Sequence, residues 1–408
     1  MQTPPNLSVK PRQFELRVSL LYVCIFLPNG VHLPYFPLWL EHNSFSPTQI
    51  GVILAAPMFV RIFAGPLVSA YADRARDRVP VLIASAVAAM VFCAGYLIPD
   101  QTYLLTLVVS VLLAAAWAPH TPLSDSIALS GVRRFGSDYA SMRVWGSASF
   151  LVASFACGHI LAWTSEALIP WLILAGLASV VISAFFVPRI GRPRQQAPLP
   201  SQTIHGAAFA LRQPYFLLII AASALAQSSH GFAYAFTSIY WKALGISDGG
   251  VGVLWALAIA GEIVMFFAFN RLFGRARPGV VLALGAGVGA MRWLLMPMAW
   301  PAGAGFAGFA ALQLMHAFSF SLVFLATQKM FTQTVPEARL GAAQGAAFFL
   351  NMTCLATVTL VSGPLYAGWA EFGFWSMALV AVVAVILALA ALRYPHSSGS
   401  GVKTVEPS

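Results

Sequence analysis

Residues 249–271 read GGVGVLWALAIAGEIVMFFAFNR and hold a single acidic side chain, Glu262, in an otherwise apolar run. A helix that crosses the hydrocarbon core of a bilayer needs about 20 mostly apolar residues. The stretch therefore has the length and composition of a membrane span. Because a carboxylate near the bilayer centre is costly, Glu262 is expected to face a cavity or a charged partner.

The whole chain has the same character. Of its 408 residues, 59% are hydrophobic and 9% are charged, and the mean hydropathy is +0.79. A soluble domain carries about 25% charged residues. The composition excludes a soluble globular enzyme, a disordered protein and a disulfide-rich secreted module. It indicates an all-α membrane protein that crosses the bilayer many times.

Twelve stretches along the chain qualify as transmembrane helices, which places both termini on one side of the membrane. Their predicted ranges are about 16–40, 48–71, 79–98, 103–129, 140–162, 168–187, 214–241, 249–271, 279–298, 303–331, 341–366 and 373–392. Prolines in the first span, and Pro119 and Pro122 in the fourth, are expected to break the regularity of those two helices and to free backbone groups toward a cavity, as a kink or as a binding contact.

Basic residues decide the orientation. They cluster on the side of the termini, as in Arg74, Arg76 and Arg78, whereas Lys242 lies on the opposite side. The positive-inside rule then predicts cytoplasmic termini and location in the cell inner membrane. The formal net charge of +10 is explained by this topology, and no nucleic-acid partner is expected.

A polar, proline-bearing segment divides the spans six and six. The predicted organisation is a cytoplasmic tail (1–15), a first six-helix bundle (16–187), a cytoplasmic linker (188–213), a second bundle (214–392) and a second tail (393–408). The halves also match at a constant offset of 201 residues, which aligns Gly30 with Gly231, Gly51 with Gly252, and Arg61 with Glu262.

Two six-span repeats with basic loops between spans 2 and 3 and between spans 8 and 9 are typical of transporters. In this pattern, with the loop Asp73-Arg74-Ala75-Arg76-Asp77-Arg78, the chain resembles the major facilitator superfamily. The resemblance implies two pseudo-symmetric six-helix bundles and alternating access to a site near the midplane.

Five charged side chains lie well inside predicted spans, away from the span ends: Arg61, Asp125, Arg143, Glu262 and Arg292. Charges at such depth are usually functional and face partners or water-filled cavities. Two pairings are predicted, Asp125 with Arg143, and Glu262 with Arg292 or with His316. Arg61 is a candidate for an ion pair between the bundles or within one of them.

Further segments refine the resemblance. Residues 138–146, DYASMRVWG, and 313–316, QLMH, together with Gly261-Glu262 and Met291-Arg292-Trp293, resemble the 3-phenylpropionic acid transporter family. The charge skeleton is also similar to that of the oligosaccharide:proton symporters, of which lactose permease is the type. Those symporters carry an acid three residues after the histidine, where this chain has Ser319.

The resemblance and the buried charges together predict the site. The predicted solute contacts are Asp125, Arg143, Trp145, His230 and Asn29, and the predicted proton-coupling residues are Glu262, Arg292 and His316. Trp145 is expected to stack on the solute. Glu262 is expected to carry the proton, and His316 either relays it or hydrogen-bonds the carboxylate.

The predicted function is proton-coupled symport of a small organic solute, with an aromatic monocarboxylate such as 3-phenylpropionate favoured. A sugar or nucleoside symporter and a non-transporting sensor remain alternatives. No catalytic triad, metal-ligand spacing or phosphate loop occurs in the sequence, so neither an enzyme nor a cofactor or metal site is expected. The partners are then the solute, the proton and the lipid bilayer, and the protein is expected to be a monomer.

Overall fold

The apolar stretches form α-helices in the computed structural model, which describes residues 10–191, 213–335 and 340–394, and no β-strand occurs in those ranges. In chain order the helices are α1 (Phe14–His42), α2 (Pro47–Arg74), α3 (Val79–Cys93), α4 (Tyr103–Trp117), α5 (His120–Phe135), α6 (Tyr139–Leu161), α7 (Ile169–Phe186), α8 (Pro214–Ser228), α9 (Gly231–Ala243), α10 (Asp248–Phe273), α11 (Pro278–Leu295), α12 (Gly305–Leu314), α13 (Val323–Thr334), α14 (Leu340–Trp369) and α15 (Phe374–Ala391). Short 3₁₀ turns follow α3, precede α7 and join α14 to α15, and a π-helical segment, Ala317–Leu322, precedes α13.

Eleven stretches within the described ranges are long and apolar enough to cross a membrane. The last of them, Ala343–Ala391, is 49 residues long and contains two helices, most of α14 and all of α15, joined by the 3₁₀ turn Ala370–Gly373. The count of twelve spans therefore remains a prediction. Residues 192–212 of the predicted linker, 1–9 of the first tail and 395–408 of the second lie outside the described residues.

The two proline-bearing spans differ in the structure. The fourth span is divided, because α4 ends at Trp117 and α5 begins at His120. The first span is not divided, and α1 is a single helix that contains three prolines. Proline leaves the carbonyl four residues earlier without its helical donor. For Pro34 that carbonyl belongs to Gly30, and the hydroxyl of Ser154 donates to it at 2.8 Å.

The helices form two compact units. The first contains the described residues up to 191 together with Ala233–Ile259 and Thr359–Ala370, and the second contains the other described residues. The predicted bundle boundaries, 16–187 and 214–392, are untested by this division and remain a prediction. In the first unit the apolar core lies around α1, where Val18, Leu21, Tyr22 and Ile25 are fully buried at helical spacing and pack with α3, α5, α6 and α7.

Within the first unit, helix ends that are predicted to face outward are closed against each other. A Cβ atom on Gly51 of α2 would lie 3.0 Å from the Cα atom of Gly363 in α14, so the two backbones meet where neither carries a side chain. Nearby, Lys242 Nζ lies 2.7 Å from Asp248 Oδ2 and 3.6 Å from Glu166 Oε1. These contacts join α2 to α14, and α9 to α10 and to the turn before α7.

The second unit has its own core, formed by α8, α11, α13 and α15. Ala384, Ala388 and Ala391 of α15 are fully buried, and small side chains of this kind allow close approach of neighbouring helices. This packing holds α11 against the π-helical segment. Of the two basic side chains predicted to act with Glu262, Arg292 lies on α11 and His316 directly precedes the π-helical segment.

Candidate functional site

In the second unit a carboxylate meets a histidine inside the membrane-spanning region. Glu262 lies on α10, and its Oε1 atom is 2.8 Å from Nε2 of His316, the residue that precedes the π-helical segment. Both side chains are largely buried, with 15% and 7% exposure. The predicted pairing of Glu262 with Arg292 or His316 is thus confirmed for His316.

Arg292 of α11 fixes the other edge of the imidazole. Its Nη1 atom lies 3.1 Å from Nδ1 of His316, and its Nε atom donates to the carbonyl of Leu312 at 2.8 Å. A further bond runs from Nη2 to the side-chain oxygen of Gln313, and the guanidinium carbon lies 4.4 Å from the ring centroid of Trp293. Arg292 is 3% exposed, so its orientation is set by these contacts.

This geometry determines the tautomer of His316. A guanidinium can only donate hydrogen bonds, so Nδ1 of His316 has to accept from Arg292 and carries no proton. The proton of the neutral ring is then on Nε2, which donates to Glu262 Oε1. A doubly protonated His316 would turn an N–H toward the guanidinium. The ring therefore orients the carboxylate, and Glu262 is the member of the cluster that can gain and lose a proton without breaking the Arg292 contact.

His230 belongs to the same cluster. It lies between α8 and α9, its Nδ1 atom is 3.2 Å from the carbonyl of Gln227, and its Nε2 atom is 3.3 Å from Oγ of Ser319. The carbonyl requires a proton on Nδ1, so Nε2 accepts from the serine hydroxyl. The rings of His230 and His316 are 5.1 Å apart. His230, predicted to contact the solute, thus packs against the residues predicted to couple the proton, and Ser319 supplies a donor where the oligosaccharide:proton symporters have an acid.

In the first unit Asp125 has partners that sequence reasoning missed. Its Oδ1 atom accepts hydrogen bonds from the hydroxyls of Tyr22 at 2.6 Å and Tyr139 at 3.0 Å. The guanidinium carbon of Arg143 lies 4.1 Å from the ring centroid of Phe26 and 5.4 Å from that of Tyr22. The predicted direct ion pair of Asp125 with Arg143 is wrong, because among the residues the structure describes no carboxylate lies within 4 Å of Arg143.

The sequence did contain a signal for one of these tyrosines. Tyr139 and Arg143 are four residues apart on α6, so they share one face of the helix. Tyr22 is separated from Asp125 by 103 residues, and only the packing of α1 against α5 brings them together. The ring of Tyr22 contacts both Asp125 and Arg143, which makes it the link between the two predicted solute contacts.

Two other predicted solute contacts lie elsewhere. Trp145 is two residues after Arg143, about 200° around the helix, and so faces away from it; it is 54% exposed and lines an apolar cavity between α1, α6 and α7. Asn29 directs its Nδ2 atom to the carbonyl of Ile25 in its own helix, at 2.7 Å. Neither side chain lies in a cluster with Asp125, and their predicted contact with solute remains untested.

Arg61 is the last of the intramembrane charges. Its guanidinium carbon lies 5.8 Å from the ring centroid of Trp117, and its Nε atom has no hydrogen-bond partner. Within the described part of the chain no carboxylate lies within 4 Å of it, so the predicted ion pair is not formed in this structure.

Comparison with known proteins identifies the family of the chain. A family model described as the MFS_1 like family matches residues 15–375. The chain belongs to the MFS_1 like family. This match confirms the resemblance to the major facilitator superfamily that the sequence predicts.

Two relatives that match the chain are named as a transporter and a permease. The probable 3-phenylpropionic acid transporter of Escherichia coli (strain K12) is 29% identical over 380 residues, which are 91% of this chain and 96% of that protein. The maltose permease of Geobacillus stearothermophilus is 31% identical over 281 residues, 67% of this chain and 69% of that protein. The crystal structure of the nucleoside transporter NupG superposes with a TM-score of 0.80 at 16% identity, covering 94% of this chain and 100% of that one, and shows the shared fold. This member of the family is therefore a multi-pass membrane transporter of the major facilitator type.

Proposed function

We propose that the protein is a proton-coupled symporter of an aromatic monocarboxylate, with 3-phenylpropionate as the reference substrate. The observation that carries the proposal is the contact of Glu262 with His316, which Arg292 holds from its other side. Buried carboxylates next to histidines suit proton relays in transporters. The substrate class is supported by the relative named as a 3-phenylpropionic acid transporter.

The proposed proton step uses Glu262 alone as the carrier. In the protonated form the carboxyl group is neutral and can reorient across a dry region at low cost, whereas the ionised form accepts from His316 Nε2 and lies close to the Arg292 charge. Because the solute carries one negative charge, a bound solute molecule and the proton on Glu262 together have no net charge, and they cross the membrane as a neutral pair. Coupling then follows if solute and proton favour the same conformation.

The solute contact proposed for the first unit is Arg143. Its guanidinium is planar and can bind a carboxylate through two parallel hydrogen bonds. In this structure it rests on the rings of Phe26 and Tyr22 and has no carboxylate within 4 Å among the described residues. A guanidinium that packs on aromatic rings is suited to a solute with a carboxylate and a ring.

The proposal includes twelve spans, cytoplasmic termini, residence in the inner membrane and a monomeric state. Support for the topology comes from the basic clusters at Arg74, Arg76 and Arg78 and at Arg275 and Arg277. The opposite ends of the spans carry Glu166, Asp248 and Glu371 instead.

Uptake into proteoliposomes tests the function. Purified protein is reconstituted, the outside is made acidic, and labelled 3-phenylpropionate is followed with and without a protonophore. Because an uncharged weak acid crosses lipid by itself, protein-free liposomes of the same composition are the reference. We expect protein-dependent accumulation that the protonophore abolishes. No uptake above the reference would contradict the proposal.

The same preparation tests the alternatives. Maltose permease is 31% identical to this chain, and a nucleoside transporter shares its fold, so labelled maltose and a labelled nucleoside are included. Proton-driven uptake of either in place of 3-phenylpropionate would identify a sugar or nucleoside symporter. Binding without any uptake would indicate a sensor.

A further inference from the structure

A small cavity in the first unit encloses the guanidinium of Arg61. It has a volume of about 70 Å³ and is formed by α1, α2, α4, α9 and α14 with the 3₁₀ turn after α3. The wall of the cavity is mostly apolar, and its aromatic members are His32, Phe36, Tyr96, Trp117 and Tyr234. The cavity is separate from the residues to which solute or proton roles have been given above.

The charge inside this cavity is not neutralised by the protein. No carboxylate of the described chain lies within 4 Å of Arg61, and its Nε atom is buried without a hydrogen-bond partner. The guanidinium carbon lies 5.8 Å from the ring centroid of Trp117, and a ring face compensates only part of a cation's lost hydration. A buried cation without a counter-charge costs several kcal/mol, so the cavity is suited to an anion.

The shape of the cavity narrows the class of anion. Its volume is below the roughly 150 Å³ that encloses a benzene molecule, so it can hold a carboxylate and the first carbon atoms of its chain but not a whole aromatic acid. The rings of Phe36, Trp117 and Tyr234 line that space, and the cavity is not fully enclosed, so the rest of such a molecule would extend through its open side. A strongly hydrated multivalent anion such as phosphate would find few donors here, because the lining is mostly apolar.

The helices that line the cavity come from both predicted halves of the chain, which relates the cavity to transport. Tyr234 of α9 and Thr359 of α14 belong to the predicted second half of the chain, whereas Arg61 and Trp117 belong to the first. A pocket assembled from both halves changes when the halves move, as alternating access requires. The cavity lies in the compact unit in which the predicted outer helix ends are closed.

We propose that this cavity is a second solute subsite, in which Arg61 binds the carboxylate of the transported aromatic acid. It is distinct from the site proposed at Arg143, and it rests on the proposed function in that the anion is taken to be the substrate. Arg61 would then be an anchor for the solute, and the offset of 201 residues would relate a solute-binding cation in one half to the proton carrier Glu262 in the other.

Binding to purified protein tests the subsite without requiring transport. The affinities of 3-phenylpropionate and of its neutral isostere 3-phenylpropanamide are measured by calorimetry for the wild type and for a parent variant, Arg143→Gln, in which the other proposed carboxylate contact does not contribute. The substitutions Arg61→Gln, Arg61→Lys and the exposed control Arg133→Gln are each added to that parent. We expect the wild type, the parent and the control to prefer the acid. Arg61→Gln should weaken acid binding about 10- to 100-fold, the worth of charge-assisted hydrogen bonds, and leave amide binding within threefold. Arg61→Lys should fall between.

Two failures are distinguishable. If Arg61→Gln keeps the acid preference of the parent within twofold, the subsite is refuted while the proposed function stands. If the wild type binds neither compound, the proposed substrate class is refuted together with the subsite. Retained amide binding verifies that Arg61→Gln is folded. Should that variant not fold, phenylglyoxal modification of Arg61 in the wild type decides: protection by the acid but not by the amide supports the subsite, and equal modification with both contradicts it.

Discussion

Replacing Glu262 by glutamine should separate solute movement from the proton gradient. Glutamine keeps the size of the side chain and an oxygen that can accept from His316 Nε2, which lies 2.8 Å from Glu262 Oε1. The contact of His316 with Arg292 involves the other ring nitrogen and is unaffected. The variant should therefore fold and still bind solute, but it has no proton to carry.

The size of the expected solute accumulation follows from the number of proton-carrying groups. The cluster contains one carboxylate, so one proton accompanies each solute molecule. A gradient of one pH unit is worth about 1.36 kcal/mol per proton, which corresponds to about tenfold accumulation at equilibrium. Because the uncharged acid reaches the same ratio by crossing the lipid alone, initial rates are compared: wild-type proteoliposomes should approach that ratio faster than protein-free liposomes, and Glu262→Gln should be no faster than the protein-free liposomes.

The assay pairs net uptake with exchange. Net uptake of labelled 3-phenylpropionate is measured under a gradient of one pH unit and corrected with protein-free liposomes. Exchange is measured by counterflow, with excess unlabelled solute inside and no gradient. Glu262→Gln should retain counterflow and lose gradient-driven uptake, and the control Glu371→Gln, in the turn between α14 and α15, should retain both. Gradient-driven uptake by Glu262→Gln at the wild-type rate, above that of protein-free liposomes, would refute the reasoning and leave Asp125 as the remaining intramembrane acid.

Three further substitutions test the other parts of the site. Arg143→Lys keeps the charge but loses the planar fork, so solute binding measured by calorimetry should weaken about tenfold; unchanged affinity would exclude Arg143 from the site. Arg292→Met removes donors to a backbone carbonyl, a glutamine and a histidine. At about 0.6 to 1.7 kcal/mol for each hydrogen bond in membranes, the variant should have a clearly lower melting temperature in detergent. An unchanged melting temperature would show that those contacts contribute little to stability. Tyr22→Phe should destabilise the protein more than Tyr139→Phe, because the bond to Asp125 is 2.6 Å in the first case and 3.0 Å in the second; the reverse order in thermal unfolding would contradict the geometry.

Several features of the site were predictable from the sequence because they depend on position along a helix. Glu262 and Arg292 are charges inside apolar runs, and the bilayer makes any such charge conspicuous. Gln313 and His316 are three residues apart and so share a helix face; both contact Arg292 in the structure. The pairing of Glu262 with a basic group was predictable for the same reason.

Other features depended on which helices become neighbours. Asp125 and Arg143 are close along the chain, yet Asp125 is satisfied by Tyr22 from α1, and Arg143 packs on Phe26 of the same helix. His230 had been assigned to the solute, and the packing of the second unit places it against Ser319 instead. Nothing in the sequence pattern fixes such contacts, because side chains from distant segments compete for each polar atom.

The sequence by itself therefore determined that this protein is a helical membrane transporter with a few buried charges, since the cost of polar groups in hydrocarbon acts on each segment separately. The tertiary structure decided which charges are paired and which are not. It gave His316 its tautomer by placing Arg292 at one ring nitrogen and Glu262 at the other. It also left Arg61 in a mostly apolar cavity with no carboxylate within 4 Å in the described chain, because hydrogen bonds and ion pairs act over a few ångströms and only the packing of helices sets distances on that scale.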